Sequence, residues 1–278
     1  MTTLPASLSL LVYFISGAIV GSFLNVCILR LPGHQSIVKP RSKCCHCSKP
    51  IPWFYNIPIL TWFWLKGKTA CCHKRLPIRY PLVECLTGLL AVVVGFYVRT
   101  APIAIFTLSC LLLVAFFTDI DTMLIPDEIT LGGIVAGCLF CFFYPELQRA
   151  QTPLMGMLRS LQNTCLAMGG LFGFASFAEF FLKKEAMGLG DVKLLGCIGA
   201  FCGWQTCCFS IFFGATLGTC FFVIVALAQK FKGKRVHLMH KMIPFGPFIA
   251  VAALCDILVE LHFSEKYVSF ILLEKMMQ

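Results

Sequence analysis

Two aspartates in this chain stand where a carboxylate is costly. Asp119 follows the apolar stretch 102–118, and Asp191 precedes the apolar stretch 192–204. An acid at the edge of a membrane-embedded segment is a functional-site hypothesis by default. Two carboxylates held close cannot both ionise, so they share one proton. One can then act as base on a water while the other polarises a carbonyl, which is aspartic-type peptide hydrolysis. The protons of such a pair belong to the pair rather than to either residue. Gly188 and Gly190 precede Asp191 as Gly-x-Gly-Asp. Their missing side chains leave room for another backbone, such as a substrate strand.

The other acids after the 102–118 stretch have plainer roles. Asp121 and Glu128 read as solvated charges. Asp127 follows Pro126 and reads as the N-cap of the next helix. Lys193 points away from Asp191 on a helix and reads as a snorkelling charge that sets topology.

A second set of reactive side chains lies earlier. Cys44 and Cys47 have the Cys-x-x-Cys spacing that suits tetrahedral zinc, and Cys71, Cys72 and His73 follow downstream. Many of the 17 cysteines lie inside apolar runs, where the thiol is a small hydrophobe. His237 and His240 sit in a basic loop and read as solvated.

Apolar residues make up 58% of the 278-residue chain and charged residues only 13%. A soluble domain carries about 25% charged residues. Apolar runs such as 8–29, 102–118 and 209–228 suit a hydrocarbon core about 30 Å thick. The expectation is an all-α integral membrane protein with about eight transmembrane helices, at 8–29, 82–98, 102–118, 129–144, 161–182, 192–204, 206–228 and 243–261. One large loop, 31–80, joins the first two. The domain reading is 1–30 for the first span, 31–80 for a basic cysteine-bearing loop, 81–262 for a seven-span core and 263–278 for a tail. Gly-xxx-Gly pairs at Gly17/Gly21, Gly133/Gly137 and Gly214/Gly218 predict close helix contacts. Ser22 and Asn25 predict hydrogen bonds between helices. The segment 145–160 reads as a polar loop, and no internal repeat is visible.

The net charge of +10 is uneven: ten Lys/Arg lie between Arg30 and Arg79, and no acid precedes Glu84. The positive-inside rule explains this block without a nucleic-acid partner. The N-terminus is then outside, and Asp119 and Asp191 share the cytosolic face. The aromatics Trp53, Phe54, Tyr55, Trp62, Phe63 and Trp64 belong at the membrane interface rather than stacked on bases.

These residues also carry a family resemblance. Asp119-Ile-Asp-Thr-Met-Leu-Ile-Pro-Asp127 and Met187-Gly-Leu-Gly-Asp191 resemble the two aspartate motifs of bacterial type IV prepilin peptidases. Gly21-Ser-Phe-Leu-Asn-Val-Cys27, Arg41-Ser42, Asn56-Ile-Pro-Ile-Leu60, Arg79-Tyr-Pro-Leu-Val-Glu84 and Pro244-Phe-Gly-Pro-Phe248 are similar to others of that family, in order. The resemblance implies a membrane aspartic endopeptidase of the inner membrane, related in chemistry to presenilin-like enzymes. It would remove the basic leader of prepilins and type II secretion pseudopilins at the cytosolic face. It also implies N-methylation of the new N-terminus from S-adenosylmethionine. Asp119 and Asp191 take the catalytic places, and Gly67, Lys68 and Glu84 fall in the methyl-transfer region. Glu84 could instead pair with Arg79 or another loop arginine. A zinc site is implied at two Cys-x-x-Cys pairs. Here the second pair is altered, with Thr69 where the family has cysteine. Cys44, Cys47 and Cys72 would then be joined by Cys71 or His73, unless the site has lapsed.

Other classes fit less well. A transporter wants its acids near the bilayer midplane in broken helices, whereas these cluster at one face. A scaffold binding through the basic loop would leave the buried acids unexplained.

Overall fold

The computed structural model describes residues 5–44, 46–98, 100–183, 187–231 and 244–259. The pair His237 and His240 and the tail 263–278 lie outside them. The described residues are overwhelmingly helical, and only two isolated β-bridges occur among them. The chain divides into two compact units, Met1–Val114 and Ala115–Gln278.

Each expected span carries a helix. They are α1 (Ala6–Arg30), α3 (Arg79–Tyr97), α4 (Pro102–Thr122), α5 (Asp127–Phe143), α6 (Pro153–Leu182), α7 (Leu189–Cys202), α8 (Trp204–Phe231) and α9 (Gly246–Val259), with a short α2 (Leu60–Trp64) in the loop. Five of these are long and apolar enough to cross a membrane: α1, α3, α4, α6 and α8. α5 and α7 have 17 and 14 residues, and α9 is likewise short.

Prolines set several boundaries. Pro102 and Pro153 stand at first helical positions, where the missing N–H is no loss. Thr152 caps α6 by accepting the Met155 N–H, so that helix begins inside the segment expected as a polar loop. α4 also runs further than expected, to Thr122, which places Asp119 and Asp121 within its final turns. Pro126, rather than Asp127, is the N-cap of α5. Asp127 and Glu128 instead occupy its first turn, where carboxylates complement the helix dipole.

In the first unit, α1 and α3 pack face to face. A Cβ on Gly17 would meet Ala91 Cβ at 2.5 Å and Thr87 O at 2.7 Å. The expected hydrogen bonds also form, Asn25 Nδ2 donating to Tyr80 O at 3.1 Å and Ser22 bonding Glu84.

In the second unit, α7 is the centre. Leu194, Leu195, Ile198, Ala200 and Phe201 are fully buried. Gly137 of α5 lies against Ala200 and Phe201, and Gly196 lies against Met168 of α6. By contrast only 6% of the most apolar stretch of α8 is buried, so α8 presents most of its surface to lipid.

Gly17→Val is expected to destabilise the protein by about 1–3 kcal/mol through overpacking against α3. Gly132→Ala should instead stabilise by up to about 1 kcal/mol, since no described residue lies within 4 Å of the added methyl and alanine favours the helix interior. Thermal unfolding of the detergent-purified variants measures both.

Candidate active site

Asp119 is the least solvated acid of its segment, at 6% exposure, while Asp121, Asp127 and Glu128 are exposed. It stays buried because α4 continues past it and its Oδ2 accepts the Gly246 N–H at 2.9 Å. Asp191 stands in the first turn of α7, which begins at Leu189 because Gly188 takes the extended N-cap conformation. Ile125 lies beside both Gly246, which bonds Asp119, and Gly190, the chain neighbour of Asp191, so the fold brings the two acids of widely separated segments into one neighbourhood.

The two glycines of the motif do different work. Among the described residues, a Cβ on Gly188 would meet only Asp191 Oδ2, at 3.6 Å, so none of them fills the space over Gly188. The space at Gly190 is taken by this chain's own Ile125, whose Cβ would be 3.4 Å away. Ile125 Cδ1 also lies 3.0 Å from where a Gly246 Cβ would be. Ile125 is thus a wall between the Gly-x-Gly turn and the start of α9. Lys193 carries its charge away from Asp191, to an exposed acid. It binds Asp127 Oδ1 at 2.6 Å, joining the first turns of α7 and α5.

The far end of α7 is held by polar side chains. Gln148 Nε2 donates to Gly199 O and Ala200 O at 3.2 and 2.9 Å, and Ser160 Oγ donates to Ala200 O at 2.7 Å. Asn163 Nδ2 in turn donates to Gln148 Oε1 at 2.7 Å. The Ala200 carbonyl is one that the helix end leaves open, whereas Gly199 O already accepts the Gly203 N–H.

The first unit holds a different site. Cys44, Cys47, Cys71 and Cys72 bring their sulfurs within 4.8 Å of one another. Cys44 and Cys72 are 3.8 Å apart, and Cys47 and Cys71 are 3.2 Å apart. Four sulfurs around one zinc lie about 3.8 Å apart, given Zn–S near 2.3 Å. The donor set therefore fits zinc, and its fourth member is Cys71 rather than His73. Burial pushes the Cys44 thiol up, but hydrogen bonds from the His46 and Cys47 N–H groups and from neighbouring thiols outweigh it and bring it to about 6. Cys71 is pushed up to about 12, mainly by its bonds to Cys47 and Cys44.

The backbone here repeats, although the sequence shows no repeat. Antiparallel bridges close two turns, Lys43 with Pro50 and Lys68 with Arg75. In the first, Cys44 N donates to Lys49 O and Ser48 N to Cys44 O, at 2.9 and 3.0 Å. In the second, Thr69 N donates to Lys74 O and His73 N to Thr69 O, at the same distances. Thr69 thus occupies the place of Cys44, Cys72 that of Cys47, and Cys71 that of His46. Thr69 Oγ1 lies 3.0 Å from Cys72 Sγ and accepts the Lys74 N–H. His46 Nε2 contacts Arg75 O at 3.3 Å, linking the two turns.

Beside this cluster is a cavity of about 1170 Å³. Its walls include Asn25, Arg41, Asn56, Tyr55, Trp62 and Glu84. Two buried polar atoms of these residues, Asn25 Oδ1 and Trp62 Nε1, have no hydrogen-bond partner among the described residues. Glu84 Oε2 accepts the Ile59 N–H at 2.7 Å, so its partners here are that N–H and Ser22. Ile59 has φ 61°, and Leu60 N bonds Pro58 O across it. This γ-turn is strained for a β-branched residue, and Glu84 pins it at the cavity edge. The aromatic set is divided. Tyr55 and Trp62 line the cavity, whereas Phe63 and Trp64 are 64% and 82% exposed. Gly67 (φ 66°) forms the turn under Trp62, and neither it nor Lys68 is a cavity wall.

Together these features describe a multi-pass helical membrane protein with a buried and a half-buried carboxylate in one unit and a thiol cluster beside a cavity in the other. Comparison with known proteins gives the family. Residues 15–98 match the Bacterial Peptidase A24 N-terminal domain, and residues 106–223 match the Type IV leader peptidase family. A prepilin leader peptidase/N-methyltransferase of Aeromonas salmonicida (strain A449) is 33% identical over 93% of this chain and 94% of its own. One of Pectobacterium carotovorum subsp. carotovorum is 33% identical over 84% and 88%, and one of Klebsiella pneumoniae 38% over 69% and 84%. No solved structure matches the chain. The chain belongs to the type IV leader peptidase family.

Proposed function

We propose that the protein is a membrane aspartic endopeptidase that removes the leader of prepilins and pseudopilins at the cytosolic membrane face, then methylates the new N-terminus. The observation that carries the peptidase reading is the placing of Asp119 and Asp191 at the ends of two apolar helices, around the one wall that Ile125 forms. Sharing one proton, the ionised carboxylate takes a proton from water as the water attacks the scissile carbonyl. The protonated carboxyl hydrogen-bonds the carbonyl oxygen. Collapse of the tetrahedral intermediate breaks the C–N bond, and the leaving amine takes up a proton. The open side of Gly188 is where the substrate backbone approaches. The basic loops support the cytosolic placement, through the positive-inside rule.

For the second activity, S-adenosylmethionine supplies an electrophilic methyl group to an amine. The cavity of the first unit suits it in size and chemistry, with aromatic faces in Tyr55 and Trp62 and two polar atoms of its lining residues unsatisfied among the described residues. Asn25 and Trp62 would bind the cofactor, and Glu84 would hold the Ile59 turn against it. Gly67 and Lys68 would act from behind, by shaping the turn that seats Trp62. Zinc at Cys44, Cys47, Cys71 and Cys72 would lock the two turns at the edge of the same cavity.

Asp119→Asn and Asp191→Asn should each abolish cleavage of a prepilin by detergent-purified enzyme while the protein still inserts; normal cleavage by either variant would remove that residue from the dyad. S-adenosylmethionine should quench Trp62 fluorescence, and Asn25→Leu should weaken that binding about tenfold or more, the loss of one buried hydrogen bond. Metal analysis of purified protein should find zinc. Cys71→Ser should lose it, and adding Thr69→Cys should restore it, because that side chain stands in the slot matching Cys44.

A further inference from the structure

We infer that Gly246 is the positioning residue of the peptidase site: its N–H fixes Asp119 through Oδ2, leaving Oδ1 as the oxygen that shares the proton with Asp191 and meets water. This rests on the reading of Asp119 as catalytic. α9 begins at Gly246, so the Gly246 N–H is one of the donors that a helix start leaves without an internal partner. Pro247 follows and has no N–H. The donor that reaches Asp119 is therefore Gly246, and the bond is buried, at 2.9 Å. A charge-assisted bond of this kind is stronger and more directional than one between neutral groups.

The residue must also be glycine. A Cβ there would stand 2.7 Å from Asp119 Oδ2, 3.3 Å from its Cγ and 3.0 Å from Ile125 Cδ1. The first contact cannot persist, and Ile125 blocks escape on one side. Any larger residue displaces the carboxylate rather than adding a surface of its own. The same wall touches Gly190, one residue before Asp191. Gly246, Ile125 and Gly190 thus form one contact line that runs from the first acid to the turn carrying the second.

The test uses full-length enzyme carrying Gly246→Ala, with Gly218→Ala as companion, because a Cβ at 218 meets Phe248 at an ordinary 3.5 Å. Displacing a catalytic group by about 1 Å costs about 100-fold. Gly246→Ala should therefore lower kcat for prepilin cleavage by about 100-fold, with KM unchanged and Gly218→Ala at the wild-type rate. Wild-type kcat in Gly246→Ala overturns the inference. If Gly246→Ala does not fold, NMR of wild-type protein with labelled glycine decides. The Gly246 amide proton should lie downfield and move upfield in Asp119→Asn but not in Asp127→Asn. An amide indifferent to Asp119→Asn overturns the inference as well. Full cleavage by Asp119→Asn would instead sink the underlying assignment, whereas an inactive Asp119→Asn beside a fully active Gly246→Ala sinks only the role of Gly246.

Discussion

The second unit depends on burying α7, a 14-residue helix shorter than the roughly 30 Å of a bilayer's hydrocarbon core. A short helix inside an apolar environment must find partners for both of its ends, because no water is there to take them. At the C-terminal end Gln148 and Ser160 satisfy the Ala200 carbonyl. At the N-terminal end the first turn carries Asp191. The apolar body between is packed by α5 and α6 at glycine contacts. Position and polarity of the site follow from that arrangement: the acid is half-buried because its helix starts within the protein.

The site around it is assembled from chain ends rather than from one motif. Asp119 comes from the final turns of α4, Asp191 from the start of α7 and the Gly246 N–H from the start of α9. Ile125 sits in the connection from α4 to α5 and fills the space that Gly190 and Gly246 leave. Such a site can be stiff without disulfides or metal, because both acids and the Gly246 N–H are anchored by helices and Ile125 is wedged between them.

Periodicity and composition made much of this legible. The eight apolar segments, the small-residue contacts and the burial of Asp119 follow from hydropathy and from charge at segment ends. The cysteine cluster was legible through spacing. What was not legible is long-range and geometric. Nothing local distinguishes Ile125 from another apolar loop residue, and its role appears only when Gly190 and Gly246 come to meet it. The ion pair of Lys193 is not local either, because its partner, Asp127, lies on another helix. Two of the loop aromatics turn inward to a cavity whose shape depends on a strained turn at Ile59, which propensity disfavours. The extent of α6 was missed because Pro153, a breaker inside a helix, is favoured at its first position.

The repeated turns of the thiol cluster separate two properties that usually travel together. Cys44 and Thr69 make the same pair of main-chain bonds, so the turn is written in the backbone and does not require a sulfur at that slot. Side chains there are interchangeable parts on a fixed frame. A lineage could shift one thiol by two places along such a frame without ever passing through an unfolded loop, which is how a departure from a family pattern can be a change of spelling rather than a loss of meaning.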